Sequence, residues 1–302
     1  MPMNGFLFPG QGAQYVGMGK SLCERFPAAR AVFERANGLL GFDLAKICFD
    51  GPESELTRTD ISQPAILTCS IATLAALGNP PCHATAGLSL GEYTALVCAG
   101  AIGFDSALPL VCDRGRYMQQ ASQERPGTMA SIIALGRAKV DQAVAEASQA
   151  GIVAVANLNC PGQIVISGEV QAVDKACEIA KAMGAKMAIK LNVAGAFHSP
   201  LMEPARTKLE ARLKSVPILP PRFTVVSNVT GRPVDTPEQI RDTLARQVTS
   251  PVLWEESMRY LSGLGISEFC EIGPGKVLAG LMKRINPAAT VKNVDGPESI
   301  AA

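Results

Sequence analysis

The stretch Gly87-Leu88-Ser89-Leu90-Gly91-Glu92-Tyr93 constrains this chain more than any other. It follows His83 to Ala86, a short run suited to ending a buried strand, and precedes Thr94 to Ala99, an apolar run that reads as a helix. Glycine two before and two after a serine, between strand and helix, describes a turn so tight that a side chain at either glycine would clash with neighbouring backbone. The serine then projects at the head of a helix, where backbone N–H groups are unpaired and the macrodipole is positive. A surface turn matches the same five positions, so the pattern gains force only from the strand before it and the helix after it. A serine also needs a base before it becomes a nucleophile.

A base must reach Ser89 within a hydrogen bond. The chain has only two histidines, His83 and His198. His83 lies six residues upstream on the strand that feeds the turn, which at about 3.3 Å per residue puts it roughly 20 Å away. His198 lies beside Gly195-Ala196-Phe197, just before a helix start, and is by elimination the better candidate. Its alternative is a loop or core histidine.

Strands separated by helices imply an α/β protein with a mostly parallel sheet. Phe6 to Phe8 reads as a strand, followed by the glycine-rich loop Pro9-Gly10-Gln11-Gly12-Ala13-Gln14. Gly19-Lys20-Ser21 matches the end of a phosphate loop, but the glycine that motif needs five positions earlier is Gln14, which excludes it. Leu22 to Leu40 is broadly helical and ends at Gly41; Pro52 suits the first turn of a short helix. A long helix opens around Ser62 and runs to Leu77, apolar nearly all round, with Gln63 near its start as either a solvated helix end or a site residue. Phe104 to Gln120 is a further helix, on which Arg114 shares a face with Leu110, Val111 and Met118. An arginine on an apolar face has a carboxylate partner, and two partners remain open: a structural Asp or Glu, or a substrate.

From Gly127 to Leu191 the texture changes to strand (Thr128 to Leu135), helix (Arg137 to Ala150), two strands (Ile152 to Leu158, Gln163 to Ser167) joined by Asn159-Cys160-Pro161-Gly162, helix (Val170 to Met183) and strand (Lys186 to Leu191). That order is ferredoxin-like, and its adjacent ends allow insertion into another domain. The division is therefore residues 1–126 and 196–302 for the larger domain and 127–195 for the insert. After it come a helix from Ser199-Pro200 to about Leu213, a strand Phe223 to Ser227, helices Pro237 to Val248 and Trp254 to Leu264, a strand Glu268 to Ile272, a helix Lys276 to Arg284, and Ala289 to Val294 as a final edge strand before a polar tail.

Composition narrows the function classes. The 302 residues suffice for a large core, and the net charge of +1 gives no field favouring nucleic acid or a membrane surface. No run approaches the roughly eighteen apolar residues that span a bilayer. The first residues lack the basic region and apolar stretch of a secretory signal. Nine scattered cysteines without a Cys-x-x-Cys pair argue for a reducing, cytoplasmic setting and against both disulfides and a zinc site.

Phe8-Pro9-Gly10-Gln11-Gly12, the heptad around Ser89, Arg114-Gly115 with Met118, Asn157 to Gly168, Ala196-Phe197-His198, and Gln247 before Pro251-Val252-x-Trp254 together resemble the malonyl-CoA:acyl carrier protein transacylases, from about Phe6 to Arg284. The resemblance implies an α/β-hydrolase-like core with an inserted ferredoxin-like subdomain. It implies Ser89 as acylated nucleophile, His198 as general base, and Gln247 orienting His198 through an oxygen in place of an acidic third member. Backbone N–H groups of Gln11 and Leu90 would form the oxyanion hole, and Arg114 would hold the malonyl carboxylate. Gln63, Met118, Asn159 and Phe197 would line the pocket; Phe197 resembles malonyl-selective members, against a reading as plain packing. The chain departs from many members at Leu88, where they carry histidine, which bears on pocket hydration and acyl preference and not on the base.

The activity so implied is a ping-pong transfer from malonyl-CoA to the phosphopantetheine thiol of acyl carrier protein, in fatty acid or polyketide synthesis, by a monomer without cofactor or metal. Lys186, Lys190, Lys276, Lys283 and Arg284 are candidates for a basic surface facing an acidic carrier protein, or ordinary solvated charges. Two rivals stay open: a serine thioesterase or other hydrolase with the same turn, and an inactive module that binds a carrier protein.

Overall fold

The computed structural model describes residues 3–301. Nine strands form two sheets: β1 (Asn4–Phe8), β2 (Ala84–Gly87), β3 (Thr128–Ile133), β4 (Val153–Cys160), β5 (Gln163–Gly168), β6 (Met187–Lys190), β7 (Thr224–Val226), β8 (Glu268–Ile272) and β9 (Thr290–Val294). The larger sheet has the order β7-β2-β1-β8-β9, and every pairing in it is parallel. Its central strands are buried on both faces, which is why Phe6, Leu7 and Phe8 form an unbroken apolar run and do not alternate. The last strand, β9, stands at the edge, as its mixed sequence suggests.

The smaller sheet is antiparallel, in the order β4-β5-β3-β6, with the helices Arg137–Ala147 and Val170–Ala182 between its strands. This is the strand order of a ferredoxin-like unit. It has its own core, built on Ile132, Val140, Val155, Ile166, Val173 and Ala176. A Cβ placed on Gly127 would fall 2.7 Å from the Cβ of Ala196, so the chain enters and leaves this unit at one point. The Pro251-Val252 segment, from outside the inserted unit, pairs with β4 of the smaller sheet: Leu158 N–H donates to the Val252 carbonyl at 2.9 Å, and Val252 N–H donates to that of Ala156 at 2.8 Å.

Several boundaries differ from the sequence expectation. The helix expected over Leu22 to Leu40 is two, Lys20–Arg25 and Pro27–Leu40. Phe26 between them is extended, because a proline ring disfavours helical geometry in the residue before it. The long helix spans Thr59–Ala76, so Pro64 sits inside it, not in its first turn. Only one backbone bond, to the Asp60 carbonyl, is forfeited there. Pro109 is likewise inside the helix Phe104–Glu124, which runs a turn past its expected end at Gln120. A helix Leu44–Asp50, capped by the Asp43 side chain, was not anticipated, and Pro52 precedes the short helix Glu53–Leu56 without entering it. In the smaller sheet β4 continues to Cys160, so only Pro161-Gly162 form the turn, with Gly162 at φ 71°. The tail after Asp295 carries a short helix, Pro297–Ala301. Among the described residues no helix is long and apolar enough to cross a membrane.

Candidate active site

The strand β2 ends at Gly87, and the helix Gly91–Cys98 starts four residues later. A Cβ on Gly87 would meet the Gly91 carbonyl carbon and oxygen at 1.9 Å, and one on Gly91 would meet the Phe8 carbonyl oxygen at 2.1 Å. Contacts that short are impossible, so both positions require glycine. The turn also forces Ser89 to φ 52°, a left-handed conformation that L residues rarely adopt. The structure over-determines that conformation. Ser89 N–H donates to Asn228 Oδ1 at 2.6 Å, and the Ser89 carbonyl accepts from Gln247 Nε2 at 3.0 Å. Asn228 Nδ2 donates to the Gly87 carbonyl at 2.7 Å, closing a brace across the turn.

Ser89 Oγ lies 2.8 Å from His198 Nε2. His198 is itself at φ 58°, in the loop that leaves the smaller unit, and is buried. Its Nδ1 donates to the backbone carbonyl of Gln247 at 2.8 Å. A carbonyl only accepts, so Nδ1 carries the proton and Nε2 faces the serine with a lone pair. Burial, followed by the nearby Arg114 charge, pushes the imidazole down to about 4 from its ordinary 6.5. The ring is therefore neutral near pH 7 and able to accept the serine proton. The other histidine, His83, shares its Nδ1 with the Asn4 side chain at the opposite end of β2 and takes no part here.

Arg114 is 1% exposed. One guanidinium nitrogen donates to Gln63 Oε1; the other donates to Gln247 Oε1 at 2.9 Å and to Ser89 Oγ at 3.1 Å. Tyr93 presents its ring 5.4 Å from the guanidinium carbon. No carboxylate forms an ion pair with Arg114 among the described residues, and its Nε has no partner. Of the two partners left open by the sequence, the structural one is absent at ion-pair distance. Gln63 is fully buried, which rules out a solvated helix end: the helix begins four residues before it, at Thr59, and Gln63 points inward to Arg114 and Met118.

A cavity of about 310 Å³ opens over Ser89 and His198. Gln11, Leu88, Met118, Asn159 and Phe197 line it, with Val277 and Leu281 at one side. Residues of both sheets' units contribute, so the site lies between them. The Pro9-Gly10 loop packs directly on the turn: a Cβ on Gly10 would meet the Leu88 carbonyl at 2.3 Å. Backbone N–H groups of Gln11, on the cavity wall, and of Leu90, next to the serine in the chain, have no protein acceptor among the described residues. A larger cavity, about 560 Å³, lies against Cys82, Cys98 and Arg222 and includes none of these groups.

The combination is a serine with an engaged neutral base, free amides beside it, and a buried cation within reach of the same hydroxyl. A model of the acyl transferase domain family matches residues 5–295. The chain belongs to that family. This acyltransferase is 45% identical over 299 residues to the malonyl CoA-acyl carrier protein transacylase of Bacillus subtilis, covering 98% of this chain and 94% of the relative. It is 42% identical over 301 residues to the enzyme of that name from Escherichia coli K12, with 98% and 97% covered. Among solved structures it superposes with a TM-score of 0.97 on the malonyl CoA-acyl carrier protein transacylase from Coxiella burnetii, at 39% identity and 100% and 96% coverage. It superposes with a TM-score of 0.96 on a malonyl-transacylase in complex with its type II polyketide synthase acyl-carrier protein, at 41% identity and 99% and 98% coverage.

Two residues of the acyltransferase site were not anticipated. Glu92 is fully buried and accepts from Gln247 Nε2 at 2.6 Å and from Asn228 N–H at 3.1 Å, both at Oε2. Burial pushes its carboxyl up to about 7, against the pull of those donors and of Arg114. Its signal was an acid in the first turn of an otherwise apolar helix. Asn228, just past β7, gave none. Of the expected basic surface residues, Lys190 pairs with Asp174 at 2.6 Å and Arg284 is engaged with Gln163 and the Pro161 carbonyl; Lys186, Lys276 and Lys283 are exposed.

Proposed function

We propose that this acyltransferase moves a malonyl group from malonyl-CoA to the phosphopantetheine thiol of an acyl carrier protein through an acyl-Ser89 intermediate. The observation that carries the reading is Arg114: a buried guanidinium without a carboxylate partner, 3.1 Å from the hydroxyl that would be acylated. A malonyl thioester attacked by Ser89 has its free carboxylate two bonds from the reacting carbonyl, which fits that separation. A bidentate contact there satisfies the cation.

In the first half-reaction Nε2 of His198 takes the Ser89 proton as Oγ attacks the thioester carbonyl. The oxyanion is held by the Gln11 and Leu90 amides; one such donor is worth roughly 2.7–4 kcal/mol in serine enzymes. Collapse breaks the C–S bond, and CoA leaves with the proton returned by His198. In the second half-reaction the carrier thiol loses its proton to His198 and attacks the acyl-serine carbonyl; the C–Oγ bond breaks, and His198 returns the proton to Ser89. The cycle calls on no metal or redox group. The nine free thiols support a reducing, cytoplasmic setting.

The test is transfer itself. Protein charged with malonyl-CoA and freed of excess is mixed with a holo carrier protein, and the carrier's mass is followed. A malonyl increment on the carrier, at a rate exceeding release of free malonate, supports transfer; malonate release alone marks a hydrolase.

A further inference from the structure

We infer that Glu92 is a positioning residue for acyl selection: its carboxyl oxygen sets the orientation of the Gln247 side-chain amide, and through that amide the Arg114 guanidinium. The inference rests on the transfer reading above. Gln247 is fully buried, and each of its side-chain atoms has a fixed duty. Its Oε1 accepts from Arg114, and its Nε2 donates to Glu92 Oε2 and to the Ser89 carbonyl. A guanidinium has only donors and a backbone carbonyl only accepts. Turning the amide over would set an NH₂ group against Arg114 and an oxygen against both Glu92 and Ser89. Glu92 supplies the shortest of the three contacts that hold it, 2.6 Å against 3.0 Å to the Ser89 carbonyl and 3.4 Å to Asn228 Oδ1.

The same Oε2 accepts from the backbone N–H of Asn228, whose side chain braces Gly87 and Ser89. One oxygen therefore ties the nucleophile turn to the arginine clamp without touching either reacting group. Oε1 has no hydrogen-bond partner. The part Glu92 plays thus depends on an acceptor at the Oε2 position, more than on a full carboxylate with both oxygens engaged. An anionic first-turn residue that merely favoured the helix dipole would depend on charge and tolerate a shorter side chain.

Glu92→Gln and Glu92→Asp separate these. The amide keeps an acceptor at the Oε2 position and lacks the charge; the aspartate keeps the charge and withdraws the oxygen by about 1.5 Å. Wild type and both variants are mixed with malonyl-CoA and with acetyl-CoA, acylation of Ser89 is timed by intact mass, and melting temperature is recorded. The ratio of malonyl to acetyl rates should fall about tenfold in Glu92→Asp, the scale of one hydrogen bond to a charged group. Glu92→Gln should recover most of it. A wild-type ratio in Glu92→Asp, whatever its melting temperature, overturns the inference; so does a Glu92→Gln ratio as low as that of Glu92→Asp. Absence of malonyl on wild type sinks the transfer reading and this inference with it, whereas a charged wild type with unaltered variants sinks the inference alone.

Discussion

His198 and Gln247 meet through a backbone atom: Nδ1 of the imidazole donates to the Gln247 carbonyl oxygen at 2.8 Å, while the Gln247 side chain turns away to Arg114 and Glu92. The glutamine thus serves the base and the clamp with different parts of itself. Gln247→Ala should leave the imidazole tautomer intact and deprive Arg114 of an acceptor. Losing a hydrogen bond to a charged group costs about 1.5–3 kcal/mol, or roughly 10- to 150-fold. That loss should fall on malonyl acylation and largely spare acetyl acylation. Equal losses with both thioesters would place the side chain in service of His198 after all.

Arg114→Ala should reverse the preference more completely. The variant removes the cation that a malonyl carboxylate would satisfy, and it relieves the burden of burying that cation unpaired beside an acetyl group. Malonyl acylation should drop by about two orders of magnitude and acetyl acylation should rise, as read from paired rates on the same preparation. A variant that loses both in parallel would make Arg114 a structural residue.

The imidazole also predicts a pH profile. A histidine pushed down to about 4 stays neutral as pH falls through its ordinary value, because burial and Arg114 disfavour its cation. The general base is therefore lost only as pH drops toward about 4, and the acid limb of the acylation rate should lie there, not near 6.5. Because Glu92 acts through its Oε2 acceptor, protonation of its raised carboxyl near 7 should add no inflection, and wild type and Glu92→Gln should share one profile. A single limb centred at 6.5 in both proteins contradicts the burial argument.

The turn itself is the least forgiving part of the fold. Gly87→Ala places a methyl carbon 1.9 Å from the Gly91 carbonyl, with only backbone to move. The variant should fail to accumulate as folded protein or melt far below wild type, as judged by a thermal unfolding curve; an unchanged melting temperature would mean the turn is looser than described.

How much of this was legible in the sequence follows from what kind of atom does each job. Ser89 and its flanking glycines were readable because a steric requirement at fixed spacing leaves few residues to choose from. His198 followed because only one other imidazole exists. The unbroken apolar run of β1 gave a buried parallel strand directly. Gln63 was ambiguous because Pro64 mimics a first-turn proline, hiding the four helical residues, Thr59 to Ser62, that precede Gln63. The Leu22 to Leu40 helix was drawn too long because its apolar period continues across Phe26, where Pro27 breaks the backbone. Asn228 and the Gln247 carbonyl were invisible for a further reason. Each acts across more than 100 or nearly 50 positions of chain, through a contact that only the tertiary fold creates.

The measurement that tests the account most directly is intact-protein mass after brief mixing with malonyl-CoA, on wild type and Ser89→Ala, with acetyl-CoA in parallel. The account predicts a malonyl adduct on wild type alone, in excess over acetyl, and its discharge by a holo carrier protein. A malonyl adduct that persists in Ser89→Ala, or no adduct on wild type, would contradict it.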